Sequence, residues 1–179
     1  MRTACLRFLA LVFCLAIISA AQAKADTEGA ATAHVYVNID PNVSMSANTP
    51  TVDAGTVQTG DFTATVDFRV EANVQNLLIY AAASPLYKGN DPFNTDVAPI
   101  PLNLSAGVLI HPTNANPVEN GSPVAQYLTS EEIDLGAGFN GPRSEAISFE
   151  SSQNNRFSQS VFTTYTWSQN EPEKPTGEY

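Results

Sequence analysis

The chain has 179 residues, 43% hydrophobic and 15% charged, with eight basic against eighteen acidic side chains and a formal charge of −10. A field of that sign repels nucleic acid and anionic lipid. Two cysteines are too few for a disulfide framework.

Residues 1–25 read as a secretory signal peptide. Arg2 and Arg7 give a positive start, and 8–20 is an apolar run too short to span a bilayer. Ala21-Gln22-Ala23 then offers a small-x-small cleavage site. Both Cys5 and Cys14 lie in this leader, so the exported chain must fold on a hydrophobic core alone. Residues 26–179 suit one domain and carry five basic against eighteen acidic side chains, a formal charge of −13.

The first strand pattern is AHVYVNIDP, 33–41. Ala33, Val35, Val37 and Ile39 alternate with His34, Tyr36, Asn38 and Asp40 until Pro41 stops the run. That is the period of a half-buried strand. DFTATVDFRVEA, 61–72, is clearer still: Phe62, Ala64, Val66, Phe68, Val70 and Ala72 form one face and polar residues the other. Residues 74–83, with LLIY at their heart, read as a central strand. PIPLNL, 99–104, alternates, and Ser105-Ala106-Gly107 suggests a tight turn into VLIH, hence a hairpin.

Short strands are expected at 124–128 and 146–149. Residues 156–168 alternate over a longer span, with Gln159 and Thr163 among Phe157, Val161, Tyr165 and Trp167. Polar residues on that face predict a strand at a sheet edge or crossing between sheets. Residues 84–99, 112–123 and 136–142 carry the proline, glycine and asparagine of loops. No ten-residue stretch has helical periodicity. The pattern predicts an all-β fold, an immunoglobulin-like β-sandwich.

Catalytic chemistry finds little support. His34 sits on the polar face of the first strand and His111 just before Pro112, and no Gly-x-Ser-x-Gly elbow is present. No enzyme activity and no cofactor are expected. Asn90, Asp91, Asn94 and Asp96 form one acidic cluster and Glu131, Glu132 and Asp134 another. Neither has calcium-loop spacing, so Asp91 and Asp96 are only weak metal candidates. Tyr165 and Trp167 are candidates for a ligand surface, since aromatic rings stack on sugars, although such residues more often pack a core. Asn42-Val-Ser44 and Asn103-Leu-Ser105 match the N-glycosylation pattern, which matters only in a eukaryotic source.

The two ends carry a further pattern. The alternating segment follows only a short polar and alanine-rich stretch, and the chain closes on NEPEKPTGEY, a proline–glycine loop leading toward another strand. A sandwich lacking a strand exposes an edge and a groove that a neighbour's segment can fill.

At VYVNIDP (35–41), PIPLNLSAG (99–107) and PTGEY (175–179) the chain resembles the alpha-class fimbrial subunits of the alternate chaperone–usher pathway, the pilins of colonisation-factor fimbriae. It differs in being more acidic, in its longer loops, and in stopping where those subunits continue into their last strand. The resemblance implies an incomplete pilin-type sandwich, with residues 26–41 as a donor-type strand; either the C-terminal strand is truncated after 179 or the chain ends unlike that family. Val35, Val37, Ile39 and Pro41 would then form the subunit interface. It further implies other copies as partners, a periplasmic chaperone, an outer-membrane usher and a host receptor, on a route through the periplasm to the fimbrium at the cell surface. The competing expectation is a soluble secreted or periplasmic β-sandwich binding module that uses its long loops.

Overall fold

The computed structural model describes residues 36, 37, 39–49, 51–118 and 121–179. Strands form where an alternating segment finds a face to cover, and all of them lie in the compact unit Asp40–Tyr179. They are β1 (Val43–Ala47), β2 (Gly60–Ala72), β3 (Asn76–Ile79), β4 (Val108–Pro112), β5 (Ala115–Pro117), β6 (Val124–Ala125), β7 (Tyr127–Gly136), β8 (Phe139–Ser144), β9 (Ile147–Ser151) and β10 (Phe157–Gln169). Apart from one 3-10 turn at Lys88–Asn90, the regular structure of the described residues is entirely β.

One sheet has the order β1-β2-β10-β4-β6, a second β3-β9-β5, and β7-β8 form a hairpin. Pairing is antiparallel throughout. The core between them contains Val70, Val108, Ile110, Phe149, Phe157, Val161, Tyr165 and Trp167. Leu77, Ile79 and Ile147 pack on it from the second sheet. This is an all-β sandwich. The predicted face of β2 is the one turned toward the core: Phe62, Ala64, Val66, Phe68 and Ala72 pack on the cluster and Val70 belongs to it.

The expected loop at 112–123 contains β5, and four larger expectations are corrected. The 156–168 pattern is not an edge strand: β10 is central, pairing with β2 along all thirteen of its residues and with β4 on its other side. Its buried polar groups are satisfied internally. The Gln159 side chain accepts from the Asn114 amide and donates to Ser151 Oγ, and Thr163 Oγ1 donates to Val66 O at 3.5 Å. With partners supplied, polar side chains sit in the middle of a core at little cost.

Nor is LLIY central. β3 ends its sheet, and Leu78 and Tyr80 are exposed on the outer face. The proposed hairpin at 99–111 is not one either. Leu102 bridges to Trp167 and Leu109 pairs with Thr164, so the two arms lie end to end along the same edge of β10. Between them the Ala106 amide turns back onto Asn103, and Gly107, at φ +67°, returns the chain to its line.

The fourth correction concerns 136–142, which is half of a hairpin rather than a loop. Its turn is Gly136-Ala137-Gly138, with all three residues at positive φ, and β8 contains both Gly141 and Pro142. Gly141 lies so close to the 81–84 segment that a Cβ would sit 2.0 Å from Ala83 O. The Ala82–Arg143 bridge and the Ser144 amide bonded to Ala81 O hold the two together.

Candidate functional site

The inner face of the larger sheet is covered unevenly. Every second residue of β10, from Phe157 to Gln169, is buried. On β2 the equivalent face is only half-buried at Phe62, Ala64, Val66 and Phe68. One strand further out, Val43, Met45 and Ala47 of β1 lie opposite Ala72, Val70 and Phe68, on that same face, and all are exposed; Met45 is 68% exposed. The second layer thus lies over β10 and β4 and leaves the β1–β2 end of the apolar face open. Fully covering exposed Val43 or Met45 would add about 1.5–3 kcal/mol each, and the alanine and half-buried positions less.

The backbone is open at the same place. β1 pairs only with 68–72 of β2, and the Asn48 amide adds a last bond to Asp67 O at 2.8 Å. Backbone groups alternate sides along a strand, so the N–H and C=O of Thr65, Thr63 and Asp61 point the same way as those of Asp67. Among the described residues, no strand pairs with 60–66 on that side. The contrast with β7 is informative. Its free edge carries Glu131, Glu132 and Asp134 and a register shift, devices that block edge-to-edge pairing. Residues 62–66 of β2 carry no charge, proline or bulge.

Of the predicted interface residues, Val35 lies outside the described residues. Val37 and Ile39 are 75% and 79% exposed, and Pro41 is exposed too. The described part of 33–40, namely 36, 37, 39 and 40, is not strand; among the described residues the first strand starts beyond Pro41, at Val43. Proline lacks the N–H that a continuous ladder would need there. Asn73 fastens the junction, accepting from the Asn42 amide at 2.7 Å and donating to Asp40 O at 2.9 Å.

The aromatic candidates are core residues, the packing role that such residues more often have. Trp167 is 7% exposed, stacks on Phe62 at 5.9 Å between centroids, and donates its indole N–H to Ser84 O at 3.1 Å. Tyr165 lies beside it, and its phenol is pushed above the usual range by burial. The exposed aromatic that periodicity missed is Phe93, whose ring lies against Gly138 at the β7–β8 turn. Its only signal was a position in a proline- and asparagine-rich loop.

Asp91 Oδ1 accepts from the Phe93 amide, and the Asp96 amide donates to Asn94 Oδ1, so this cluster shapes its own turns. Among the described residues, no three His, Cys, Asp or Glu side chains gather as a metal site would need. A hollow of about 480 Å³ between 96–98 and 170–175 is lined by Asp96, Glu171, Glu173 and Lys174 and by no serine, threonine, cysteine or histidine. His111 is exposed on β4, opposite Phe162, while His34 lies outside the described residues. No helix among the described residues is long and apolar enough to cross a membrane.

No family model, curated protein or solved structure matches this chain. The assignment of a role therefore rests on the uncovered β1–β2 face, the unpaired edge of β2 and the exposed alternating residues before Pro41.

Proposed function

We propose that this protein is a structural subunit of a bacterial surface fibre, an incomplete immunoglobulin-like sandwich that polymerises by lending its N-terminal segment to a neighbour. The observation that carries the reading is a pair of complementary deficits in one chain. Among the described residues no layer covers the apolar face at β1–β2, and Val37 and Ile39, spaced as alternate residues of a strand, are exposed. Burying Val35, Val37 and Ile39 in another copy contributes on the order of 1.5–3 kcal/mol for each before ordering costs. A contact between unlike surfaces of identical copies does not close on itself, and its repetition gives a filament.

On this reading residues 1–25 direct export, and a periplasmic chaperone and an outer-membrane usher, the partners that the resemblance to fimbrial subunits implies, protect and order the subunits. A host receptor would meet the finished fibre.

The test is the assembly state of the exported chain. Intact protein is expected to form sedimentable fibres visible by electron microscopy, and protein lacking 33–40 to remain a folded monomer. A stable monomer in which that deletion causes unfolding would refute the reading. A second role, as a soluble binding module, is favoured by Phe93, 76% exposed on the long 84–99 loop. It predicts saturable ligand binding that is lost on Phe93→Ala while assembly is absent.

A further inference from the structure

The geometry points to the free edge of β2, residues 60–66, as the acceptor, and to residues 35–39 of a second copy as its occupant. This rests on the fibre reading above and identifies where the lent segment goes.

The edge has both components that strand addition requires. Backbone groups at Asp61, Thr63 and Thr65, unpaired on that side among the described residues, supply the ladder. Phe62, Ala64 and Val66, half-buried at two-residue spacing on the core side, supply the apolar face. Val35, Val37 and Ile39 have the same spacing, so a strand laid along this edge sets all three on that face. The incoming strand would continue the line of β1, whose Val43, Met45 and Ala47 already extend the apolar face beside 68–72.

Reach excludes the chain's own 33–40. β1 begins opposite Ala72, so that segment departs from the far end of β2. Passing from Ala72 to Val66 takes about 20 Å, and pairing on to Gly60 about 20 Å more, whereas eight extended residues span about 26 Å. The segment of another copy has no such limit. The connection 48–59 does have to return along this edge. It forms no ladder with β2 beyond Asn48, and among its described residues all but Val57 are exposed. Twelve residues can span about 40 Å, which leaves slack for the connection to stand aside.

The discriminating variant is Thr63→Pro. The Thr63 N–H points to the open side, so proline there removes a donor that β10 does not use, and a free edge tolerates proline. The expected result is a monomer with unchanged circular dichroism and at least a tenfold loss of sedimentable fibre. Because no cysteine follows Cys14, heterotypic cross-linking gives a second readout. Copies carrying Val37→Cys, mixed with copies carrying Phe62→Cys, Ala64→Cys or Val66→Cys, are expected to form disulfide-linked heterodimers under mild oxidation. Unchanged assembly of Thr63→Pro, together with no heterodimer, overturns the assignment. If Val37→Asp then abolishes fibres, the lent segment stands and its acceptor lies elsewhere. If the unsubstituted chain is monomeric, the fibre reading itself fails.

Discussion

At the scale of single residues, burial without a partner is the sharpest signal. Tyr127 is buried, and its hydroxyl has no hydrogen-bond partner among the described residues. A buried hydroxyl without a partner costs about 1–3 kcal/mol, so Tyr127→Phe is expected to raise stability by that order in urea unfolding. A destabilised Tyr127→Phe protein would reveal a partner for the hydroxyl. Burial first, and then the nearby Tyr165, push the Tyr127 phenol far above its ordinary range; burial also raises Tyr165. Both phenols therefore hold their protons more tightly folded than unfolded. Their contribution is complete below a pH of about 10 and is lost as pH rises beyond it. Thermal unfolding followed between about pH 8 and 11 should show the midpoint falling only in the upper part of that range. The Tyr127→Phe variant should show a shallower fall.

At the scale of elements, strand positions follow from what each edge meets. The β7–β8 hairpin holds its place because Gly141 lets β8 touch the 81–84 backbone. Gly141→Ala forces a methyl group against Ala83 O, and the strand must move. The expected cost is about 1–3 kcal/mol, the scale of overpacking a tight contact, read as a lowered urea midpoint. Ala substituted at Gly136 meets open space but a φ of +88°, so its cost would come from backbone strain alone.

The two long strands show how far pattern reading reaches. The faces of β2 and β10 were legible because thirteen-residue strands alternate too long to be mistaken. The rank of β10 was not legible, because Gln159 and Thr163 look like edge residues until Asn114, Ser151 and Val66 supply their partners. β1 escaped notice because VSMSA has only a weak apolar side and no core to bury it in. β8 escaped because glycine and proline usually punctuate strands, and here one serves a close approach to Ala83.

At the scale of the whole molecule, charge would oppose the proposed assembly. Copies of the chain, each at a formal −10, repel on approach. The repulsion acts through solvent and is screened over about 10 Å at 0.1 M salt. Fibre growth, followed by light scattering, is therefore expected to quicken as salt rises from about 0.02 to 0.2 M. Growth that slowed with salt would mean that attraction between charges, rather than apolar burial, drives the contact.

The sequence by itself determined the all-β class, the apolar faces of the long strands and the alternating segment before Pro41. Each depends only on periodicity along the chain, which needs no knowledge of neighbours. The tertiary structure decided which strands stand at the centre, that Trp167 and Tyr165 belong to the core, and that one half of β2 keeps an unpaired edge beside an uncovered face. Those depend on where the second layer stops, a boundary set by packing between residues far apart in the chain.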